Sequence, residues 1–348
     1  MSWVEAVWEL ARARLFGAPP AVPAPATQLF ARWEDLRLLS GLDRIAYDEQ
    51  GAPHLRYTAI DPADKVIRCT CGRPDCWSTE LLPLRGHMAE LYRAILVCGS
   101  EGVFPDQEAS VFAWPGVTEA LQLAASIEDV FADPSFTDDS EAALWCRPAY
   151  ERDQEEREAA SKYAAALITF NFVWNAYERA IELSAGGAFG KDKIAARGRK
   201  IFREEPALTG RISALRGCYT VARRICIRRE KLSADIEKTE SAYEMNLAER
   251  SAELVRVFRN YIVHGDDGSP IEGAGHACAR IYAVVRLLLI LIQLLLLRGA
   301  DGGVAVYSSV NADEDQESPV PAGLFLANLH RRKDLWWPAA ADPAPASA

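Results

Sequence analysis

IYAVVRLLLILIQLLLL, residues 281–297, is the stretch whose reading decides the fold. It has the minimum length of a membrane-spanning helix, about 17 residues. Arg286 and Gln293 interrupt it, and Gly299 with Asp301 closes it. A helix that is apolar on every side must be buried, either in lipid or in protein. The two polar interruptions and the short length favour protein, so the stretch reads as a core helix over 276–298, with no membrane contact expected.

A core helix needs other helices to cover it, and the residues upstream supply them. Tyr163, Leu167, Phe170, Trp174, Tyr177 and Ile181 recur at alternating steps of four and three, the stripe of a long helix with one buried face. Gly186-Gly187 supplies its stop. A second helix is expected over about 208–232. A third is expected over 241–264, with Leu247, Leu254, Phe258 and Tyr261 buried. Four long helices joined by short loops describe a helical bundle over 150–300.

Residues 1–140 read differently. Residues 1–16 suit a short amphipathic helix, and GAPPAVPAPAT at 17–27 suits a linker or irregular arm. Segments 55–60 and 65–69 suit a hairpin around Asp61-Pro62, and 80–98 and 117–131 suit helices. A small α+β domain is expected here, ending at ADPSFTDDS, 132–140. The fold class is therefore mainly α, with a smaller N-terminal α+β domain of unassigned role. Residues 301–348 read as a tail, partly packed and partly disordered, with a short strand at 304–310.

The chain has 348 residues and a net charge of -10, which argues against a surface generally coated for nucleic acid. The charge is uneven, however. Residues 186–232 hold 13 Lys/Arg against 4 Asp/Glu. Arg199, Lys200, Arg203, Arg223, Arg224 and Arg228 in this run are candidate RNA-binding residues. The competing reading is a solvated helix face paired with the acidic stretch 151–158. Eight cysteines in a chain this long do not read as a disulfide framework, and the N-terminal sequence lacks a secretory leader pattern. A cytoplasmic location with reduced thiols is expected. Cys69, Cys71 and Cys76 are candidate ligands of a structural zinc, with His87, Cys98 or Cys146 completing the set; reduced structural cysteines are the alternative. Neither a phosphate-cradling glycine loop nor a serine-hydrolase elbow is present in the sequence.

The chemistry concentrates in VFRNYIVHGDDGSP, where the third helix ends. Arg259 and His264 lie five residues apart with Asn260 between them. An imidazole titrates near neutrality and can move a proton. A guanidinium offers a planar fork that matches phosphate. Together they suit intramolecular attack by an RNA 2′-hydroxyl on its neighbouring phosphate, where the nucleophile is already tethered and no metal is required. The competing reading is a helix terminus, with His264 near the last carbonyls and Gly265 as the stop. In an ideal helix Arg259 and His264 splay by about 140°, which favours a site composed across two chains.

These features resemble the HEPN superfamily (higher eukaryotes and prokaryotes nucleotide-binding), and most of all its bacterial defence and abortive-infection-like members. The matching residues are Phe172, Trp174, Asn175 and Glu178 in the first bundle helix, then Arg259, Asn260 and His264 at the end of the third. The resemblance spans roughly 150–300. It implies a metal-independent endoribonuclease that needs no cofactor and acts as a homodimer on RNA. A defence effector or toxin answering to an antitoxin or regulatory partner is the biological setting it implies. Arg259 would hold the scissile phosphate, His264 would handle the proton, Asn260 would orient either, and Glu178 would be a further polar residue facing the site. The alternative is a non-catalytic HEPN-like module that dimerises or binds nucleic acid.

Overall fold

The computed structural model describes residues 58–61, 66–69, 81–127, 130–137, 145–186, 188–190, 192–265, 274–307, 318–333 and 336–337. Every described residue belongs to one compact unit, Leu39–Ala348. The expected elements at 1–27 lie outside the described residues.

Within this unit the chain is mainly helical. The hairpin β1 (Thr58–Asp61) and β2 (Val66–Cys69) is antiparallel, with Ile60 opposite Ile67. Two helices follow, α1 (Leu84–Ser100) and α2 (Val117–Ser126). Next comes α3 (Arg147–Ala185), whose 39 residues span about 58 Å. It is succeeded by α4 (Ile194–Glu204), α5 (Leu215–Cys226), α6 (Glu230–Ala242), α7 (Leu247–Val263) and α8 (Ala274–Gly299). A two-residue ladder of β3 (Ala305–Val306) with β4 (Val320–Pro321) leads into α9 (Ala322–Asn328).

Helix α8 is the core. It packs along α3 and α5 and is covered further by α7, α9 and α1. From Leu287 to Leu296 no residue retains solvent exposure, Gln293 included. Its apolar window is 94% buried, so the length that would let it cross a membrane is spent on the bundle. Each fully buried leucine contributes about 1.5–3 kcal/mol relative to exposure, which is why so many leucines settle at the centre of the bundle. The α3 stripe faces the core as expected. Phe170, Trp174, Tyr177 and Ile181 are buried, while Tyr163 and Leu167 are half-buried. Phe170 meets Phe258 of α7 edge to face, with centroids 5.5 Å apart.

Two expectations need correction. The helix expected over 208–232 is broken into a short 3-10 turn at Pro206–Gly210, then α5, then α6. Arg229 explains the second break: a continuous stripe from Ile225 to Leu232 would bury that arginine. The third bundle helix begins at Leu247, not Ser241, because Asn246 caps it. Its side-chain oxygen accepts from Glu249 N, and the Glu249 carboxylate accepts from Asn246 N, both at 3.0 Å. Helices α1 and α2 form where helices were expected, over 80–98 and 117–131. Helix α2 lies against α3 and α1, and α1 reaches α8.

The polar interruptions of α8 form a buried network. Arg286 donates to the Leu82 carbonyl at 2.6 Å and lies 2.9 Å from His87 Nδ1. His87 Nε2 is 3.1 Å from Gln293 Oε1. Gln293 Nε2 donates to the Leu326 carbonyl at 2.6 Å and stands 3.3 Å from His330 Nδ1. Arg286 and Gln293 thus tie α8 to the residues just before α1, to α1 itself through His87, and to α9 with the segment after it. Burial and the Arg286 charge hold both imidazoles below their ordinary pKa, His330 to about 3.

Candidate functional site

A cleft of about 650 Å³ opens between α3, α4 and α7. Each helix presents one face to it. Helix α3 gives Trp174 and Glu178, a helical turn apart. Helix α4 gives Arg199, with Lys193 just before its first turn. Helix α7 gives Glu253, Arg256 and Arg259 at steps of three, with Asn260 beside them. The close approach of α4 to α3 needs Gly198. A Cβ there would stand 2.8 Å from Ile181 Cδ1 and 3.0 Å from the Tyr177 hydroxyl.

Arg259 is the distinctive group. Its guanidinium carbon lies 5.9 Å from the Trp174 ring centroid, a cation–π contact, and it makes no ion pair among the described residues. Its five N–H donors are therefore held near an indole face and open to a ligand. Beside it, half-buried Glu178 has its carboxyl pushed up by burial. The Trp174 indole and the Arg259 charge oppose that rise without cancelling it. A carboxyl raised in this way can exchange a proton closer to neutrality than an exposed one.

The structure thus brings Arg259, Asn260 and Glu178 to one cleft, and it does not bring His264 there. Helix α7 stays helical through Val263, so the angular splay of Arg259 and His264 is retained. His264 is the exposed C-terminal cap. Its N–H donates to the Asn260 carbonyl at 3.0 Å, and Gly265 follows in the left-handed conformation with φ 71. Phe172 is half-buried and Asn175 exposed on α3, and neither lines the cleft.

The candidate RNA-binding residues are mostly committed to protein partners. Arg203 donates to Glu249 at 2.8 Å, Arg223 grips Glu240 through two nitrogens at 2.7–3.1 Å, and Lys200 pairs with Asp192. Arg224 and Arg228 are also engaged. Of the six, Arg199 alone lines the cleft, 3.3 Å from Glu253 and over the Tyr243 ring at 5.0 Å. Four of the six, Arg199, Lys200, Arg203 and Arg223, are thus paired with carboxylates of the bundle. The carboxylates that pair with these four are Glu253, Asp192, Glu249 and Glu240, none of them in 151–158. Acids of that stretch form ion pairs along α3 itself, such as Arg152 with Glu156 at 2.7 Å.

Sequence reasoning missed Glu253 and Arg256. Reading upstream from Arg259 in steps of three would have found both, since that spacing keeps residues on one helical face.

The zinc candidates fare differently. Cys71, Cys76 and the Cys69 side chain lie outside the described residues. Of the expected completing ligands, His87 and Cys98 are buried in the core, His87 against Arg286 and Gln293, and Cys146 is exposed. Among the described residues no group of three or more His, Cys, Asp or Glu is placed to hold a metal. Trp336 and Trp337 pack on Phe325 of α9, with centroids at 6.3 and 5.8 Å.

Compared with protein-family models, curated proteins and solved structures, the chain matches none.

Proposed function

We propose that the chain is a HEPN-like, metal-independent endoribonuclease whose site is completed by a second copy of itself. The observation that carries this reading is Arg259, a cleft arginine poised over Trp174 with no ion-pair partner among the described residues. Anchored but unpaired cations are costly to keep unless a ligand uses them. In this reading the 2′-oxygen of RNA attacks the adjacent phosphorus and loses its proton to a base. The P–O5′ bond breaks and the leaving oxygen takes up a proton. The products are a 2′,3′-cyclic phosphate and a 5′-hydroxyl. Arg259 neutralises charge on the non-bridging oxygens. Asn260 orients the phosphate, and His264 of a second copy moves the proton at the open side of the cleft. Glu178 holds that imidazole or shares its proton.

The test is cleavage of single-stranded RNA with EDTA present. Arg259→Ala and His264→Ala should each lower the rate by about 10²–10³. Mixing the two inactive variants should restore activity, because a heterodimer rebuilds one intact site. Intact RNA under every condition would sink the enzymatic reading.

A second reading is a non-catalytic RNA-binding or dimerising module. It is favoured by one observation, that His264 does not line the cleft. It predicts RNA binding that depends on Arg259 and is indifferent to His264.

A further inference from the structure

Glu253 sits on the floor of the cleft with its side chain 4% exposed. A buried carboxylate is stable only when paired. Here one oxygen, Oε2, accepts from Arg256 Nε at 2.8 Å and lies 2.7 Å from Arg256 Nη2. The other oxygen, Oε1, lies 3.3 Å from Arg199 Nη1. Glu253 therefore clamps one edge of the Arg256 fork and one nitrogen of Arg199. It leaves Arg256 Nη1 without a protein partner among the described residues. Arg199 Nε is buried and also makes no hydrogen bond. Both arginines line the cleft that holds Arg259. Residues three apart on a helix are neighbours, so Arg256 and Arg259 form adjacent cationic positions on α7.

We propose that Arg256, held by Glu253 and backed by Arg199, forms a second phosphate subsite next to Arg259. The ligand class is a single-stranded ribonucleotide chain with at least two consecutive phosphates. This rests on the RNA reading above and deepens it. Arg259 takes the phosphate to be cut, and Arg256 takes its neighbour along the chain. A fork already fixed by a buried carboxylate loses little rotamer freedom on binding, which is the arrangement expected of a positioned phosphate ligand. Glu253 acts as a positioning residue and Arg256 as a binding residue.

The experiment measures binding by the full-length protein of three fluorescent probes. These are a ribodinucleotide with one phosphodiester, a ribotrinucleotide with two, and the same trinucleotide with a neutral methylphosphonate as its second linkage. Wild type should bind the trinucleotide about tenfold more tightly than the dinucleotide, as one further charge-assisted contact would give. The methylphosphonate should remove that advantage without any change to the protein, so the result does not depend on a variant folding. Arg256→Gln should equalise the trinucleotide and dinucleotide. It should also lower the salt slope of trinucleotide binding by about 0.7. Arg259→Gln should weaken all three probes. If the trinucleotide keeps its advantage with the methylphosphonate, the gain comes from the extra base and the second subsite is overturned while Arg259 keeps its role. If Arg256→Gln leaves the difference intact, Arg256 is overturned as its ligand. If no probe binds wild type, the RNA reading and the subsite fall together.

Discussion

Arg259 and Glu178 share a problem of solvation. Each is partly withdrawn from water, and each is steadied by the same indole. Arginine and lysine differ at such a place, because only the guanidinium is planar enough to lie over a ring and still offer a fork. Arg259→Lys should therefore cost at least about tenfold in RNA cleavage, with a smaller loss of binding, as steady-state kinetics would report. Glu178 carries a carboxyl whose pKa is raised in the folded chain. A raised carboxyl favours the fold while protonated and loses that contribution as pH rises through its folded pKa. Glu178→Gln should thus gain in Tm over wild type at pH 7.5, and the gain should shrink at pH 4. A difference that grows on acidification would contradict the raised carboxyl. The cysteines whose side chains are described divide cleanly as well. Cys98, Cys218, Cys226 and Cys278 are buried, Cys218 with its thiol pushed up to about 12, while Cys146 is exposed. Cys146→Ser should remove one fast-reacting thiol in a native-state thiol titration.

At the level of elements, the entry to α7 sets the register of the cleft. Asn246 caps the helix, and its amide also donates to the Phe202 carbonyl at 2.8 Å, tying α7 to the end of α4. Asn246→Ala should cost about 1–2 kcal/mol in denaturant unfolding. This start was legible, since Asn246-Leu-Ala-Glu249 is a capping box in plain sequence, yet an apolar count from Ser241 passes over it. The helix periods of α3 and α8 were readable for the opposite reason: long stripes average out local noise. The division of α5 from α6 was harder, because only Arg229 signals it and basic residues elsewhere continue helices. Gly198 could not be interpreted from sequence at all. Its meaning lies in the 2.8 Å that a methyl would find before Ile181. Gly198→Ala should destabilise the chain by about 1–3 kcal/mol, by forcing α4 away from α3.

For the whole molecule, the buried Arg286–His87–Gln293–His330 network makes stability a function of pH. Both imidazoles have folded pKa values below the unfolded one. Their neutral forms support the fold fully above about pH 6.5, and the unfolded chain binds the extra protons below it. Stability should fall as pH drops from 6.5 towards 3, by up to about 1.4 kcal/mol per pH unit for each histidine. Denaturant titrations at pH 7.5 and 5.5 would measure this, and His330→Asn should flatten the slope. The sequence does not reveal this network, because the partners lie 199 to 206 positions away from His87 and 37 from His330. The Arg259–Asn260 half of the cleft was readable from one helix. Glu253 and Arg256 lie on that same helical face at steps of three, whereas the pairing of Arg199 with Glu253, Arg203 with Glu249 and Arg223 with Glu240 needed the tertiary contacts of α4, α5, α6 and α7.

The position of α8 has a consequence for biosynthesis. Its Gln293 amide donates to the Leu326 carbonyl, which the ribosome makes some thirty residues later. Until that segment emerges, the side of the 26-residue α8 that α9 covers stays open in a nascent chain. Such an intermediate is the form a holdase would recognise. A stop codon shortly after Gly299 should accordingly send the product to inclusion bodies.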